Sequence, residues 1–171
     1  MASSEPVNPE RFMDGMRGLA EGVCIVTTSL GTIRLGMTVT AFSSLSIQPP
    51  SLLICINKNS ESHDLIVKTH VFCINVLTQS HVDLAIRFSG QVGLKGEERF
   101  GHGAWTLLVT GAPVLRDSIA SFDCELFAAH EAATHTIFLG TVVDMLMVQD
   151  PNAQPLIYTN RTYGKMAEKP L

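Results

Sequence analysis

Alternating hydrophobic and polar positions mark two long strands in the third quarter of the chain. In "ASFDCELFAAHE", the even positions from Ala120 to Ala128 are apolar, whereas the odd positions begin with Ser121, Asp123 and Glu125. This pattern predicts a half-buried strand. The following segment, "HTIFLGTVVDMLMV", is apolar on both faces for most of its length. A strand of that kind suits a closed barrel or a subunit interface.

Shorter segments elsewhere in the chain have the composition of strands. They are rich in β-branched and aromatic residues, and Gly, Pro, Ser or Asn residues bound them. They read "VCIVTTS", "GMTVTAFS", "SLLICIN", "FCINVL" and "PLIY".

Three helices are predicted between these strands. The first opens the chain, with Asn8 as its N-cap and Gly22 as its stop. The second follows Ser60. The third follows Ser80, where Asp83 completes a capping box.

The order of the elements predicts a single, mainly β domain. Helices do not alternate regularly with strands, and no G-x-G-x-x-G follows a strand, so a doubly wound sheet is not expected. Internal repeats and linkers are absent from the sequence. We predict one domain over residues 1–171, with a core from about 10 to 164 and flexible tails at 1–8 and 165–171.

Composition narrows the classes of partner. Of the 171 residues, 46% are hydrophobic and only 16% are charged, which is little charge for a solitary monomer and predicts a buried subunit interface. The net charge is −4 and no basic run occurs, so nucleic acid is not an expected partner. No apolar run is long enough to cross a bilayer, and the N-terminus lacks the features of a secretory signal.

The four cysteines are Cys24, Cys55, Cys73 and Cys124. Each lies in an apolar segment and none forms a CxxC pair. We therefore expect reduced core thiols in a cytoplasmic protein rather than disulfides or a zinc site.

Three segments carry candidate chemistry. The small and hydroxyl residues of "GMTVTAFSSLS" could present hydrogen-bond donors to a planar polar ligand such as a flavin ring, or could form an ordinary strand and turn. At "CINKNSESHDL" a strand meets a helix, and a Lys and a Ser beside free helix N–H groups suit an anion site or a plain solvated cap. In "AIRFSG", Arg87 could complement a helix dipole and Phe88 could belong to the core.

Six histidines are present, and no pair has the spacing of a metal site. His135 differs from the others by position. It starts a strand and shares a face with Ile137 and Leu139, so in a barrel it would stand at the rim beside a pocket. A hydrogen-bonded structural histidine is the alternative.

The segments taken in order resemble a known family, the short-chain flavin reductases, which are the reductase components of two-component flavin-dependent monooxygenases. The resemblance covers about residues 10–164 and rests on "FMDGMRGLAEGVCIVTT", "GMTVTAFSSLSIQPPSLLICINKNSESHDLI", "FCINVL", "LAIRFSG", "ERF", "GAPVL", "ASFDCEL", "HTIFLGTVVD" and "PLIYTNRTYG". It implies an FMN-binding split β-barrel of Greek-key type with a few short flanking helices. It also implies a cytoplasmic homodimer that oxidises NADH or NADPH, reduces FAD or FMN, and supplies a partner monooxygenase with diffusible reduced flavin.

The same resemblance assigns site residues, with no metal among them. His135 takes the position of the family's histidine and would be catalytic, at the edge of the flavin or the nicotinamide. The implied cofactor-binding residues are Val39, Thr40, Ala41, Phe42 and Ser44 at the ring, Asn57, Lys58, Asn59, Ser60 and Ser62 at the phosphate and ribityl chain, Arg87 and Phe88 at a helix end, and Arg161 and Tyr163 near the nicotinamide or the dimer partner.

The sequence departs from the family at one pair of residues, and two alternative functions are compatible with it. The family's Gly-Asp before the histidine is Ala133-Thr134 here, which puts the turn and the steering of the imidazole in question. The alternatives are a flavoprotein that keeps its flavin and reduces another acceptor such as a corrinoid, and a non-catalytic flavin-binding module.

Overall fold

Strands dominate the part of the chain that this computed structural model describes, residues 5–166. The predicted tails, 1–8 and 165–171, lie mostly outside that range. The helices are α1 (Pro9–Arg17), α2 (Glu61–Thr69) and α3 (Val82–Phe88), with two short 3₁₀ helices at Gln79–His81 and Gly96–Gly101. The strands are β1 (Glu21–Gly22), β2 (Cys24–Leu30), β3 (Ile33–Val39), β4 (Phe42–Ile47), β5 (Pro50–Asn57), β6 (Val71–Val76), β7 (Trp105–Leu107), β8 (Pro113–Leu115), β9 (Ala120–Ala132), β10 (His135–Met147), β11 (Ile157–Thr159) and β12 (Thr162–Gly164).

Local capping chemistry sets the ends of two helices. The Asn8 side chain accepts a hydrogen bond from the Glu10 N–H (2.8 Å), and Ser60 caps α2 by accepting from the Ser62 N–H (3.2 Å). Both N-caps were predicted. The predicted stop of α1 at Gly22 is wrong, because the helix ends at Arg17 and Gly18 is its C-cap.

The predicted capping box of α3 is also wrong. Ser80 lies inside the 3₁₀ helix that precedes α3, and the reciprocal cap is made by Thr78 and His81 instead. The Thr78 backbone N–H donates to His81 Nδ1 at 3.2 Å. The turn therefore begins two residues earlier than the sequence pattern indicates.

Seven antiparallel strands form the main sheet, in the order β3-β2-β6-β9-β10-β5-β4. The sheet curls so that side chains from β2, β3, β5, β6, β9 and β10 meet in one apolar core, which Ile66 of α2 closes. Phe72 and Phe138 are fully buried in this core. The predicted mainly β split barrel with short flanking helices is confirmed.

Two β-bulges change which residues of the long strands face the core. Leu139 pairs with Ala128 and Gly140 with Leu126, so Phe127 is skipped and Ala128 turns to the outer face. The predicted single alternation from Ala120 to Ala128 is therefore wrong beyond Leu126.

The second face of β9 is buried at the start of the strand, whereas the sequence predicted that this face would be exposed to solvent. Ser121 and Asp123 are fully buried, because the segment that carries β7 and β8 covers them. Their polar atoms are satisfied: Ser121 Oγ donates to Asn75 Oδ1 (2.7 Å), and the Asp123 carboxylate accepts from the Thr110 N–H (2.8 Å).

A second core lies outside the barrel, between β2 and β3 on one side and α3 with the 3₁₀ helix Gly96–Gly101 on the other. Phe88 packs edge-on against Phe100, with ring centroids 5.1 Å apart. Gly36 of β3 is required here, because a Cβ at this position would lie 2.9 Å from Phe88 Cε1. The packing holds α3 and its C-terminal end against β3.

Within residues 5–166, no helix is long and apolar enough to cross a membrane. All four cysteines are free thiols. Cys24, Cys73 and Cys124 are buried as predicted, but Cys55 is half-exposed because it points to the outer face of β5. Burial raises the pKa of the Cys124 thiol to about 12, which keeps it protonated.

Candidate functional site

Two adjoining cavities bring several of the predicted site residues together. The tyrosine cavity, of about 240 Å³, lies between the end of β3 and the β11–β12 hairpin. The helix cavity, of about 230 Å³, lies between β3, the start of α2 and the end of α3. Thr38 and Ser89 line both, so the two cavities adjoin, and together they are called the groove below. The lining is Glu21, Val23, Thr38, Val39, Thr40, Ser89, Gln91, Tyr158 and Tyr163 in the first, and Met37, Thr38, Asn59, Ser60, Glu61, Phe88, Ser89 and Arg99 in the second.

The tyrosine cavity combines aromatic surface with hydroxyl groups. Tyr158 and Tyr163 face each other across the hairpin, with ring centroids 5.1 Å apart. Burial, with a smaller contribution from Tyr158, raises the pKa of the Tyr163 phenol, so this hydroxyl stays protonated at neutral pH. In the same lining, Thr40 Oγ1 donates to Glu21 Oε2 at 2.7 Å.

The helix cavity has features of an anion site. The N-terminus of α2, capped by Ser60, opens onto it, and the Arg99 guanidinium lies beside it. Arg99 is held in place by hydrogen bonds from Nη1 to the Gly36 carbonyl (2.7 Å) and from Nε to the Leu94 carbonyl (2.9 Å). A rigid cation next to a helix N-terminus suits a phosphate group.

The turn between β5 and α2 is rigid, and it is tied to the β9–β10 hairpin. Asn57 Oδ1 accepts from the Asn59 N–H (2.9 Å), and the Lys58 N–H donates to the Thr134 carbonyl (3.0 Å). Lys58 Nζ also bonds Glu131 Oε2 at 2.8 Å, and this contact lowers the pKa of the Glu131 carboxyl. Lys58 is therefore directed to Glu131 and not to the helix cavity.

Arg87 and Ser62, which were also predicted to contact the cofactor, are engaged within the protein. The Arg87 guanidinium donates to the carbonyls of Glu98 (2.7 Å) and Arg99 (3.0 Å), which fastens the 3₁₀ helix to α3. Ser62 is only 2% exposed, so little of it is open to a ligand. Neither lines the groove.

His135 stands at the start of β10, as the strand pattern predicts. It is half-buried and pairs across the sheet with Asn57, next to the turn that leads to α2. It does not line the groove of this single chain. Thr134 Oγ1 lies 2.8 Å from His135 Nδ1, so the hydroxyl contacts the ring at the residue where the family has Asp. Ala133, in place of the family's Gly, has φ = 49° and keeps the positive-φ turn.

The remaining predicted residues lie apart from the groove. Arg161 is exposed and lines a third cavity beside the apolar face of α1, which shares Glu21 and Tyr158 with the tyrosine cavity. Asn160 and Arg161 both have positive φ, as a two-residue β-hairpin turn requires. The other members of the predicted set that the groove does not include are Ala41, Phe42, Ser44, Asn57 and Lys58.

The sequence pattern missed nine residues of the groove, which are Glu21, Val23, Met37, Thr38, Glu61, Ser89, Gln91, Arg99 and Tyr158. Thr38 and Ser89 adjoin predicted residues, so the segments "GMTVTAFS" and "IRFSG" carried the signal. Arg99 lies in "KGEERF", and nothing in its spacing links it to Asn59, 40 positions away in the sequence. Only the folding of that loop over β3 brings the two to one cavity.

Comparison with known proteins agrees with this architecture. Residues 16–167 match the family model described as the flavin reductase like domain. The FMN reductase (NADH) RutF of Agrobacterium fabrum is 41% identical over 152 residues, which cover 89% of this chain and 85% of that protein. A solved flavin-reductase-like protein of Haemophilus somnus 129PT has a TM-score of 0.88 at 38% identity, covering 94% of this chain and all of that one. The NADH:FAD oxidoreductase SgcE6 of Streptomyces globisporus, solved with NAD and FAD fragments, has a TM-score of 0.83 at 26% identity, covering 96% and 98%. The chain therefore belongs to the flavin reductase-like domain family.

Proposed function

We propose that this protein is an NAD(P)H-dependent flavin reductase, with NADH as hydride donor and FMN or FAD as acceptor. The observation that carries the proposal is the groove, in which an aromatic and hydroxyl end adjoins a cationic helix end. Relatives named as NADH-dependent FMN reductases support FMN and NADH as the first choices.

The residues of the groove fit a flavin nucleotide by their chemistry. A flavin combines a flat polar ring with a flexible chain that ends in phosphate. Val39, Thr40 and Tyr163 would hold the ring, because they offer apolar surface and hydroxyls at one end. Asn59, Ser60 and Arg99 would hold the phosphate at the other end, through amide, hydroxyl and guanidinium groups.

A bound flavin would supply the ring nitrogen that accepts a hydride from reduced nicotinamide. This transfer needs no strong acid or base from the protein; it needs a correct distance and excluded water. The tyrosine pair would exclude water at the hairpin side. The bonds of Arg99 to backbone carbonyls keep the phosphate end rigid, so the ring would be positioned before the donor arrives.

We assign His135 to the donor side of the reaction, as a residue that contacts the nicotinamide or the flavin edge. Within one chain it lies on the outer face of β10. It pairs with Asn57 at the end of β5, where the turn that carries Asn59 begins. The outer face, defined here by Leu53, Cys55, Ile137 and Leu139, is only partly covered within one chain.

We propose that a second copy of the chain covers this outer face. Ile47, at the end of the neighbouring edge strand β4, is 87% exposed and adds exposed apolar surface at this edge of the sheet. A homodimer would bury these side chains and bring His135 to a site shared between subunits. We further propose that reduced flavin leaves for a partner monooxygenase and that the enzyme acts in the cytoplasm, where its thiols would stay reduced.

Anaerobic stopped-flow mixing tests the proposal. Purified protein with FMN or FAD is mixed with NADH or NADPH, and the loss of flavin absorbance is followed. Rapid bleaching whose turnover saturates with added flavin is expected. A single bleaching event without turnover of added flavin would favour a tightly held flavin that serves another acceptor. Absence of bleaching with every pair would refute a reductase.

A further inference from the structure

The Glu21–Thr40 pair sets the hydrogen-bond character of the tyrosine cavity. Glu21 pairs with Tyr158 across β1 and β11, so its side chain is placed at the cavity wall by a backbone ladder. Its Oε2 lies 2.7 Å from Thr40 Oγ1. Since an ionised carboxylate can only accept, the Thr40 hydroxyl must donate its single hydrogen to Glu21.

A second threonine of the same wall is oriented in the same way. Thr38 Oγ1 donates to the Ala85 carbonyl at 2.7 Å, and a carbonyl oxygen also only accepts. Both hydroxyl hydrogens are therefore engaged within the protein, so each of these oxygens can only accept a hydrogen bond from a ligand. Toward a ligand, the side chains of Thr38 and Thr40 accept hydrogen bonds and do not donate them.

We propose that Glu21 is a positioning residue that makes Thr40 a hydrogen-bond acceptor, so that the ligand edge beside Thr40 must carry an amide-type N–H. The inference rests on the proposed function. Two ligand groups of that class fit it: the imide N–H at flavin N3 and the carboxamide N–H of nicotinamide. A ring edge that carries only carbonyl oxygens would leave the accepting lone pair of Thr40 without a donor and would bind more weakly.

The flavin arm of the test measures binding in the absence of any hydride donor. Riboflavin and N3-methylriboflavin are titrated by fluorescence quenching against the parent protein, Thr40→Val, Thr40→Ser and Glu21→Gln. Thr40→Val removes the accepting hydroxyl, whereas Thr40→Ser keeps it. In Glu21→Gln, the side-chain amide can donate to the Thr40 hydroxyl oxygen and so occupy its lone pair. Glu5→Gln, at an exposed glutamate outside the groove, is the matched control for loss of charge.

The coupling between the N3–H and Thr40 is the decisive quantity. For each variant, the dissociation constant of N3-methylriboflavin is divided by that of riboflavin. The steric effect of the methyl group is common to all variants, so it cancels when this ratio is compared between a variant and the parent. We expect Thr40→Val and Glu21→Gln to reduce that ratio by about threefold to tenfold relative to the parent. Thr40→Ser and Glu5→Gln should leave it unchanged.

The dinucleotide arm of the test asks whether the carboxamide N–H of nicotinamide, and not the flavin N3–H, is the donor to Thr40. NADH and its reduced 3-acetylpyridine analogue, which has a methyl ketone in place of the carboxamide, are titrated by calorimetry against the same flavin-free variants. A ratio that changes in this arm alone supports the proposal with nicotinamide as the donor. Ratios that stay at the parent value in both arms for both Thr40→Val and Glu21→Gln would overturn it. If the parent binds no flavin and no dinucleotide, the proposed function fails as well.

Discussion

Gly140 offers a sharp test of how the barrel core is packed. It lies on β10 facing the core, opposite Leu52 of β5 and Leu126 of β9. A Cβ at this position would lie 2.5 Å from Phe72 Cζ and 3.0 Å from Cys124 Cβ. Gly140→Ala therefore forces one new methyl group into a region that is already filled.

The magnitude follows from the displacement required. A carbon–carbon contact needs about 3.5 Å, so the Phe72 ring must retreat by about 1 Å. Phe72 is fully buried, and overpacking of this kind costs about 1–3 kcal/mol. The alanine regains about 0.4–1 kcal/mol by restricting the unfolded chain. We expect a net loss of about 1–2 kcal/mol in the free energy of unfolding, or a Tm lower by about 2–8 °C for a chain of this length.

Urea denaturation followed by circular dichroism measures this loss, at one protein concentration for all variants because association would make stability concentration-dependent. Gly15→Ala is the matched control. Gly15 lies in the last turn of α1 with nothing within 4 Å of its would-be Cβ, so alanine should stabilise by about 0.5–1 kcal/mol.

A second variant identifies the cause of the loss. Phe72→Leu removes the ring atoms that collide, so Gly140→Ala should cost less in that background than in the parent. If Gly140→Ala is as stable as the parent, or if its cost is the same with leucine at position 72, then the clash with Phe72 is not what makes glycine necessary here.

Four further outcomes are expected. Ala133→Gly should raise the unfolding free energy by about 0.5–1 kcal/mol, because Ala133 has φ = 49°; an unchanged urea midpoint would contradict this. Burial raises the pKa of the Asp123 carboxyl above its ordinary 3.8, so the stability of the parent relative to Asp123→Asn should be greatest at low pH and fall as pH rises through the raised pKa; a difference that grows with pH would reverse the sign. His135→Ala should slow flavin reduction by NADH much more than it weakens FMN binding, and equal rates in mutant and parent would remove His135 from the mechanism. Leu139→Arg should halve the mass measured by light scattering if the outer face is the dimer interface, whereas Leu107→Arg, at a residue 60% exposed on β7, should not.

Local chemistry explains the features that were predicted correctly. The N-caps at Asn8 and Ser60 depend on side chains that bond backbone groups two residues away, so the sequence contains the whole interaction. The placement of His135 at the first position of β10 also follows from local alternation and a short turn. The ordered segments of the family resemblance indicated the split barrel.

Long-range packing decided the rest. The bulge at Phe127 arises from the pairing of β9 with β10, and it turns Ala128 outward against the sequence alternation. Asp123 is buried because a distant segment covers it, which no pattern within β9 reports.

The same distinction between local chemistry and long-range packing applies to the candidate site. The sequence by itself determined which segments carry hydroxyl, amide and aromatic groups, because these are properties of neighbouring residues. Only the tertiary structure decided that Arg99 completes the helix cavity, that Lys58 and Arg87 are bound to other partners, and that the hydrogen of Thr40 points to Glu21. These outcomes depend on contacts between residues far apart in the chain, and such contacts are fixed by packing and hydrogen-bond satisfaction over the whole fold.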